Sequence, residues 1–305
     1  MPPALRQPLD GLRFGLAGAG RVGSSLAHWA VAAGARLEAV AVHRAGAGLA
    51  RALDARAVPF DRFESSGCDL LLVAVADPAL DAAAAALARR PQASVALHTA
   101  GSRGAGALAP LAAGGTAAGT LHPLKAFRRP LPDPAAARGT VFAVGGDPAA
   151  EALARRLIAA WDGVAVAVPD ERRVLYHLAA SLAAGGAVTL VAAAAALAAR
   201  LGLPPEVAAG YLALARGALA EVDPADPAAA ITGPVARGDA ATVARQLEEL
   251  AAADPELVPL AVELGRETLR RLAAAGRPGT GRGEVAAALA RAAGSGVRTG
   301  TKPNE

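Results

Sequence analysis

The chain has one cysteine, Cys68, and only nine aromatic residues in 305: two Trp, two Tyr and five Phe. A single cysteine excludes a disulfide framework and a cysteine-rich zinc site. So few aromatics leave the core to Ala, Leu and Val, and they exclude the stacking platforms that hold single-stranded nucleic acid. Charge is sparse too, at 19% of residues against 53% apolar. That balance excludes a disordered, collagen-like or coiled-coil chain and supplies enough apolar surface for a core. The opening MPPALRQPLDG lacks an apolar run and does not read as a secretory leader, so a cytoplasmic protein is expected.

One stretch tests that expectation. The 22 residues between His177 and Arg200 are uncharged, long enough to cross a bilayer. Most are Ala and Gly, and the approach is Asp170-Glu171-Arg172-Arg173. A helix buried on all sides of a soluble protein is therefore expected, with no membrane contact. The net charge of +4 is uneven: +5 over residues 1–168 and −1 over 169–305. A small polyanion suits the first part, but with no Lys/Arg run longer than two, a nucleic-acid stripe is excluded.

At this length two domains are expected. Short apolar runs at Leu12–Ala17, Leu37–Val42, Leu70–Val75, Ser94–His98, Val141–Val144 and Val164–Val166 alternate with helical stretches, and Gly119–Leu121 reads as one more short strand. This predicts a doubly wound α/β domain of parallel strands over residues 1–168. From Asp170 the strand signals stop, and helices broken at Gly202–Pro205, Pro224–Pro227, Gly233-Pro234 and Asp254-Pro255 predict an all-α domain over 169–305.

The first strand runs into Gly18-Ala19-Gly20-Arg21-Val22-Gly23. In this G-x-G-x-x-G spacing the first glycine permits the tight turn, the second lets backbone approach a pyrophosphate and the third lets helix and strand pack closely. The following helix offers free N–H groups to phosphates. Where an NAD site places an acidic residue after the second strand, this chain has Val42-His43-Arg44. Arg44, with His43, is expected to receive the 2′-phosphate of NADP; the plain alternative is a solvated arginine. Ala76 and Asp77, past the strand at Leu70, are expected beside the nicotinamide half, with Asp77 also suited to cap the next helix. Cys68 reads as a small buried hydrophobe.

Hydride transfer needs a group that moves a proton on the substrate. The candidates follow strands or lie on the long helix: His98 and Ser102 in His98-Thr99-Ala100-Gly101-Ser102, His122 and Lys125 in Leu121-His122-Pro123-Leu124-Lys125-Ala126-Phe127, and His177 with Ser181 at i, i+4. His122 or Lys125 is expected to donate the proton, with Ser102, His177 and Ser181 orienting. Each histidine also has a structural reading, and His28 beside Trp29 is given to it. No paired spacing for a metal occurs.

These segments, with Phe14–Gly23 and Ile231-Thr232-Gly233-Pro234-Val235-Ala236-Arg237-Gly238-Asp239, resemble a bacterial family that joins a Rossmann-like domain to a helical C-terminal domain of unassigned function. That family is similar to pyrroline-5-carboxylate reductase, deazaflavin-dependent NADP reductases and ketopantoate reductase, and many members carry the provisional name NADP oxidoreductase. The resemblance implies NADP as cofactor, a small substrate between the domains and a homodimer through the C-terminal helices. Relatives often carry Ser-Asn where this chain has Ala184-Gly185. The expectation is an NADP-dependent oxidoreductase of a small carbonyl or imine, anionic in view of Lys125, Arg128 and Arg129. A non-catalytic NADP(H)-binding sensor or partner-binding dimer is the alternative; a methyltransferase fits less well, because Val42-His43-Arg44 lacks the acidic residue such a site uses.

Overall fold

The computed structural model describes residues 7–42 and 46–295. The chain divides into two compact units after Ala184. The expected divide, after residue 168, falls earlier, because the sheet's last strand ends at Ala167 and the helix after it still packs with the sheet unit.

The first unit is an eight-stranded sheet of β1 (Arg13–Ala17), β2 (Arg36–Val42), β3 (Arg56–Pro59), β4 (Leu70–Val73), β5 (Val95–His98), β6 (Ala117–Pro123), β7 (Val141–Gly146) and β8 (Val164–Ala167). Its order is β3-β2-β1-β4-β5-β6-β7-β8. The helices are α1 (Arg21–Ala32), α2 (Ala47–Ala52), α3 (Leu80–Leu87), α4 (Ala109–Ala112), α5 (Pro148–Ala160) and α6 (Arg173–Ser181). The expected parallel arrangement holds from β3 through β6, and β7 reverses it by pairing antiparallel with β6. The link from Pro123 to Val141 carries only a short 3-10 turn, and a parallel return needs a full crossover. The strand β3 had no apolar run to announce it: Arg-Ala-Val-Pro lies at the sheet edge, where a proline is tolerated.

Alternate residues of each strand serve opposite faces. Leu70 and Leu72 pack with Phe14, Leu16, Trp29 and Leu157, whereas Leu71 and Val73 pack with Leu80, Leu87 and Leu108. Five of the nine aromatics gather on one face: Trp29 lies 6.0 Å from Trp161 and 5.9 Å from Phe127, ring centre to ring centre, with Phe14 and Phe142 in the same core. The Trp29 indole N–H donates to the Leu131 carbonyl at 2.8 Å, which ties the loop before β7 to α1. Cys68 is buried in the second core, as expected, with its thiol pushed up by burial and then by Glu38.

The second unit is helical: α7 (Ala187–Arg200), α8 (Pro205–Ala220), α9 (Pro234–Arg237), α10 (Ala240–Ala253), α11 (Val258–Ala274) and α12 (Arg282–Ser295). Val243, Leu247, Val258, Val262, Val285 and Leu289 form its core. The Thr232–Asp239 segment shapes the backbone here. Asp239 caps α10 by accepting from the Thr242 N–H at 3.0 Å, and Arg282 donates to the Ala236 carbonyl at 3.0 Å.

The helical run Asp170–Arg200 is long and apolar enough to cross a membrane by length and composition, with a mean hydropathy of 2.0. The expected burial on all sides is not found: only 6% of its most apolar window is buried in the single chain. Its small and apolar side chains form an outward face, not a core. A π-helical turn, Leu182–Gly186, interrupts the run at Ala184-Gly185.

Candidate active site

In an open α/β sheet, ligands bind beyond the carboxyl ends of the strands, at the point where strand order reverses. Here that point lies between β1 and β4, and the glycine turn sits on it. Gly18 has φ +103°, and a Cβ there would come within 2.5 Å of the Ala74 carbonyl, so β4 presses directly on the turn. A Cβ on Gly23 would lie 2.0 Å from the Gly18 oxygen, whereas one on Gly20 would meet nothing within 4 Å. The turn is thus packed from inside and clear outside. Its outer side is where the first-turn amides of α1, Arg21, Val22 and Gly23, lack intrahelical acceptors, and Ala19 leads into it. A dinucleotide pyrophosphate fits this cradle by backbone alone. Ala76 is exposed beyond β4 and Asp77 opens a 3-10 turn, but Asp77 makes no capping hydrogen bond, so its expected cap is absent. His43 and Arg44 lie outside the described residues. Glu38, at the opposite end of β2, is held by Arg13 at 3.0 Å and Arg36 at 3.3 Å.

The ends of β5 and β6 on the same edge carry His98 and His122. His98 is fully buried and both ring nitrogens are used. Nδ1 accepts from the Ala100 N–H at 3.2 Å, which places the proton on Nε2, and Nε2 donates to the Gly104 carbonyl at 2.9 Å. Burial holds its pKa below the ordinary value. His98 therefore has the structural role.

His122 differs. Its Nδ1 lies 3.0 Å from the Tyr176 hydroxyl, while Nε2 has no hydrogen-bond partner among the described residues. Its ring meets Tyr176 and His177 edge-on, with centres 5.6 and 5.5 Å away. Burial, then the charges of His177, Arg173 and His98, push its pKa down to about 4. The imidazole is neutral at physiological pH. Burial raises the Tyr176 pKa, and Arg173 opposes that rise.

The helix α6 brings three of these groups together. Arg173 stands at i and Tyr176 and His177 at i+3 and i+4, which places them on one face. Arg173 is completely buried; it donates to the Thr120 hydroxyl and pairs through Nε with Asp170 at 3.4 Å. Among the described residues Nη1 has no hydrogen-bond acceptor, and His177 Nδ1 is likewise buried and unpartnered. Gly101 makes this convergence feasible: a Cβ there would lie 2.3 Å from His177 Nδ1 and 2.6 Å from His122 Nε2.

Of the expected catalytic residues, His122 and His177 meet, and Ser102 is half-buried next to Gly101. Lys125 is exposed beyond β6. Ser181 is exposed, and its hydroxyl donates back to the His177 carbonyl at 2.9 Å. Tyr176 and Arg173 were not among the expected site residues. Their helical spacing to His177 was the available signal, hidden for Arg173 by its place in a charged helix start.

Two family models match the chain, a Rossmann-like domain over residues 4–123 and a domain of unknown function, DUF2520, over residues 140–268. No curated protein matches it. Among solved structures, a Bacteroides fragilis protein provisionally named an NADP oxidoreductase is similar with a TM-score of 0.70 at 22% identity, over 86% of this chain and 99% of that one. Plasmodium falciparum pyrroline carboxylate reductase, with NADP bound, is similar with a TM-score of 0.51 at 12% identity, over 94% and 99%. A reductive aminase from Aspergillus terreus, in complex with NADPH and ethyl-5-oxohexanoate, is similar with a TM-score of 0.54 at 16% identity, over 93% and 94%. At such identities the likeness establishes the fold. The two matches follow one another along the chain in the expected order, a Rossmann-like domain and then a DUF2520 domain.

Proposed function

We propose that the chain is an NADP-dependent oxidoreductase that reduces a small carbonyl or imine substrate. The observation that carries this reading is the placement, on one sheet edge, of a backbone phosphate cradle and a half-buried histidine with one open ring nitrogen. When bound, the nicotinamide supplies a hydride. The chain's own part is to hold the pyrophosphate at Gly18–Gly23 and to deliver a proton from His122 Nε2 to the reduced group. His177 and Gly101 fix the position of the His122 ring, and Ser102 lies close enough in the chain to contact a substrate. Exposed Lys125, Arg128 and Arg129 follow β6 and favour an acidic substrate. In the same reading, two copies associate through the C-terminal helices, where Val188 and Leu214 are 69% and 70% exposed.

The test begins with thermal shifts for NADPH and NADH, since a ligand raises the melting temperature according to its affinity for the folded state. NADPH is expected to give the larger shift, and Arg44→Ala to remove the difference. A panel of small keto acids, ketones and cyclic imines should then show NADPH oxidation. In His122→Ala, cofactor affinity is expected to stay and turnover to fall by about 10²- to 10⁴-fold. Saturating cofactor with no turnover across the panel overturns the reading. Light scattering in solution reports the dimer.

A further inference from the structure

We propose that the substrate presents a carbonyl group, not an iminium ion, and that its oxygen takes a proton from His122 Nε2 with Tyr176 as the second proton carrier. The proposal rests on the reductase reading above and concerns the same site. The groups around the His122 imidazole come from four elements. His98, on β5, has both ring nitrogens engaged and is neutral. On α6 stand Arg173, Tyr176 and His177, the first fully buried with its Nη1 unpartnered among the described residues. Asp170, in the turn before α6, is committed to Arg173 Nε at 3.4 Å and to the Ala105 N–H at 3.1 Å. On β7 the cross-strand neighbour is Ala143, which is uncharged. No uncommitted carboxylate among the described residues faces the ring.

This arrangement has a sign. A buried guanidinium next to two imidazoles opposes positive charge, which agrees with the lowered pKa of His122. An iminium substrate enters as a cation and requires a carboxylate to remain one. A carbonyl enters neutral and gains negative charge on oxygen as hydride reaches its carbon, which an N–H donor and a nearby buried cation stabilise. The Tyr176 hydroxyl, 3.0 Å from Nδ1, can donate there and so place the remaining ring proton on Nε2.

The atoms balance as follows. Were the carbonyl carbon to receive the hydride that bound reduced nicotinamide would supply, the C=O π pair would move to oxygen. That oxygen bonds the proton from His122 Nε2, while Nδ1 takes the proton from Tyr176 Oη. The products are an alcohol, oxidised nicotinamide and a tyrosinate near Arg173, which water reprotonates as the imidazole returns its tautomer.

Two measurements test the proposal. In cofactor-free protein with ¹⁵N-labelled histidine, the His122 ring is expected to stay neutral below pH 5 with its proton on Nε2, and Tyr176→Phe is expected to mix the two tautomers. A His122 that titrates near pH 6.5, or an unchanged tautomer in Tyr176→Phe, overturns the relay. In turnover, matched pairs of a cyclic ketone and its cyclic imine are compared; kcat/KM is expected to favour the ketone at least 100-fold, and Tyr176→Phe to lower kcat roughly 10- to 100-fold with KM and cofactor affinity unchanged. Preference for the imine overturns the substrate class and leaves the reductase reading standing. Turnover of neither overturns that reading and this proposal together.

Discussion

The ends of β1 and β4 and the ends of β5 and β6 share one edge of the sheet and are built from different materials. The first region is backbone: glycines at Gly18, Gly20 and Gly23 and the free amides of α1, with no charged side chain required. The second is side chains carried in from three separate segments, with His122 on β6, Tyr176 and His177 on α6, and Gly101 in the bend after β5. A backbone site fails when an atom is added, whatever the pH. A side-chain site fails when a proton is misplaced, even though the shape survives.

The largest effects should come from the backbone region, and two of its glycines separate packing from recognition. Gly23→Ala forces a methyl group to within about 2.0 Å of the Gly18 oxygen, so the turn must deform. Overpacking of this kind costs about 1–3 kcal/mol or more, and the melting temperature should fall by roughly 2–4 °C per kcal/mol with NADPH binding lost. Gly20→Ala meets nothing in the folded chain. It should keep the melting temperature and weaken NADPH at least about tenfold, because the methyl occupies the space of the phosphates. Calorimetric unfolding and cofactor titration of both variants check this. Equal affinity losses with equal destabilisation would show that the cradle acts only through folding.

Next come the two histidines on neighbouring strands. His98→Ala removes two hydrogen bonds and opens a cavity, which should cost about 2–4 kcal/mol. His122→Ala should cost less than about 1 kcal/mol and take its effect in turnover instead. Urea unfolding of the two variants decides. If His122→Ala is the more destabilising, the open nitrogen is not the feature that distinguishes the two.

The two regions were unequally legible in the sequence, and for a physical reason. The turn of the cradle is local: its glycines fall within six consecutive residues, so the spacing Gly18 to Gly23 sufficed. Most strands were visible as apolar runs, whereas β3 was not, because an edge strand with three of its four residues exposed needs no such run. The histidine cluster is non-local. His122 and Tyr176 are 54 residues apart, and nothing in either segment specifies that they meet. His98 and His122 look alike as histidines after short strands, and only the positions of Ala100 and Gly104 separate a satisfied ring from an open one. The long helix was misjudged because composition reports apolarity and not whether anything covers it.

Acid sharpens the same contrast. The folded His122 pKa, about 4, lies below the ordinary 6.5, so between these values the unfolded chain binds more protons than the folded one. Stability should therefore fall as pH drops from 6.5 to about 4 and level off below that. At about 1.4 kcal/mol per unit the ceiling for this residue is roughly 3 kcal/mol, reduced by solvent reaching the half-buried ring. His98, lowered by burial, acts in the same direction. Urea midpoints across that range, wild type against His122→Asn, should show a flatter curve for the variant, while dinucleotide retention at the cradle of Gly20→Ala should show no matching pH dependence.

The smallest effect concerns where the side-chain region stops along α6. Ser181 stands one turn beyond His177 and shares its face by spacing. Its hydroxyl is turned back onto the His177 carbonyl at 2.9 Å and its side chain is exposed. A serine that bonds its own helix in this way contributes little and slightly bends the backbone. Ser181→Ala should hence change kcat less than about twofold and the melting temperature by no more than about 2 °C. A tenfold loss of kcat at unchanged stability would extend the proton-handling surface a full turn past His177, up to the π-helical turn at Leu182, and the boundary between the two kinds of region would have to be redrawn there.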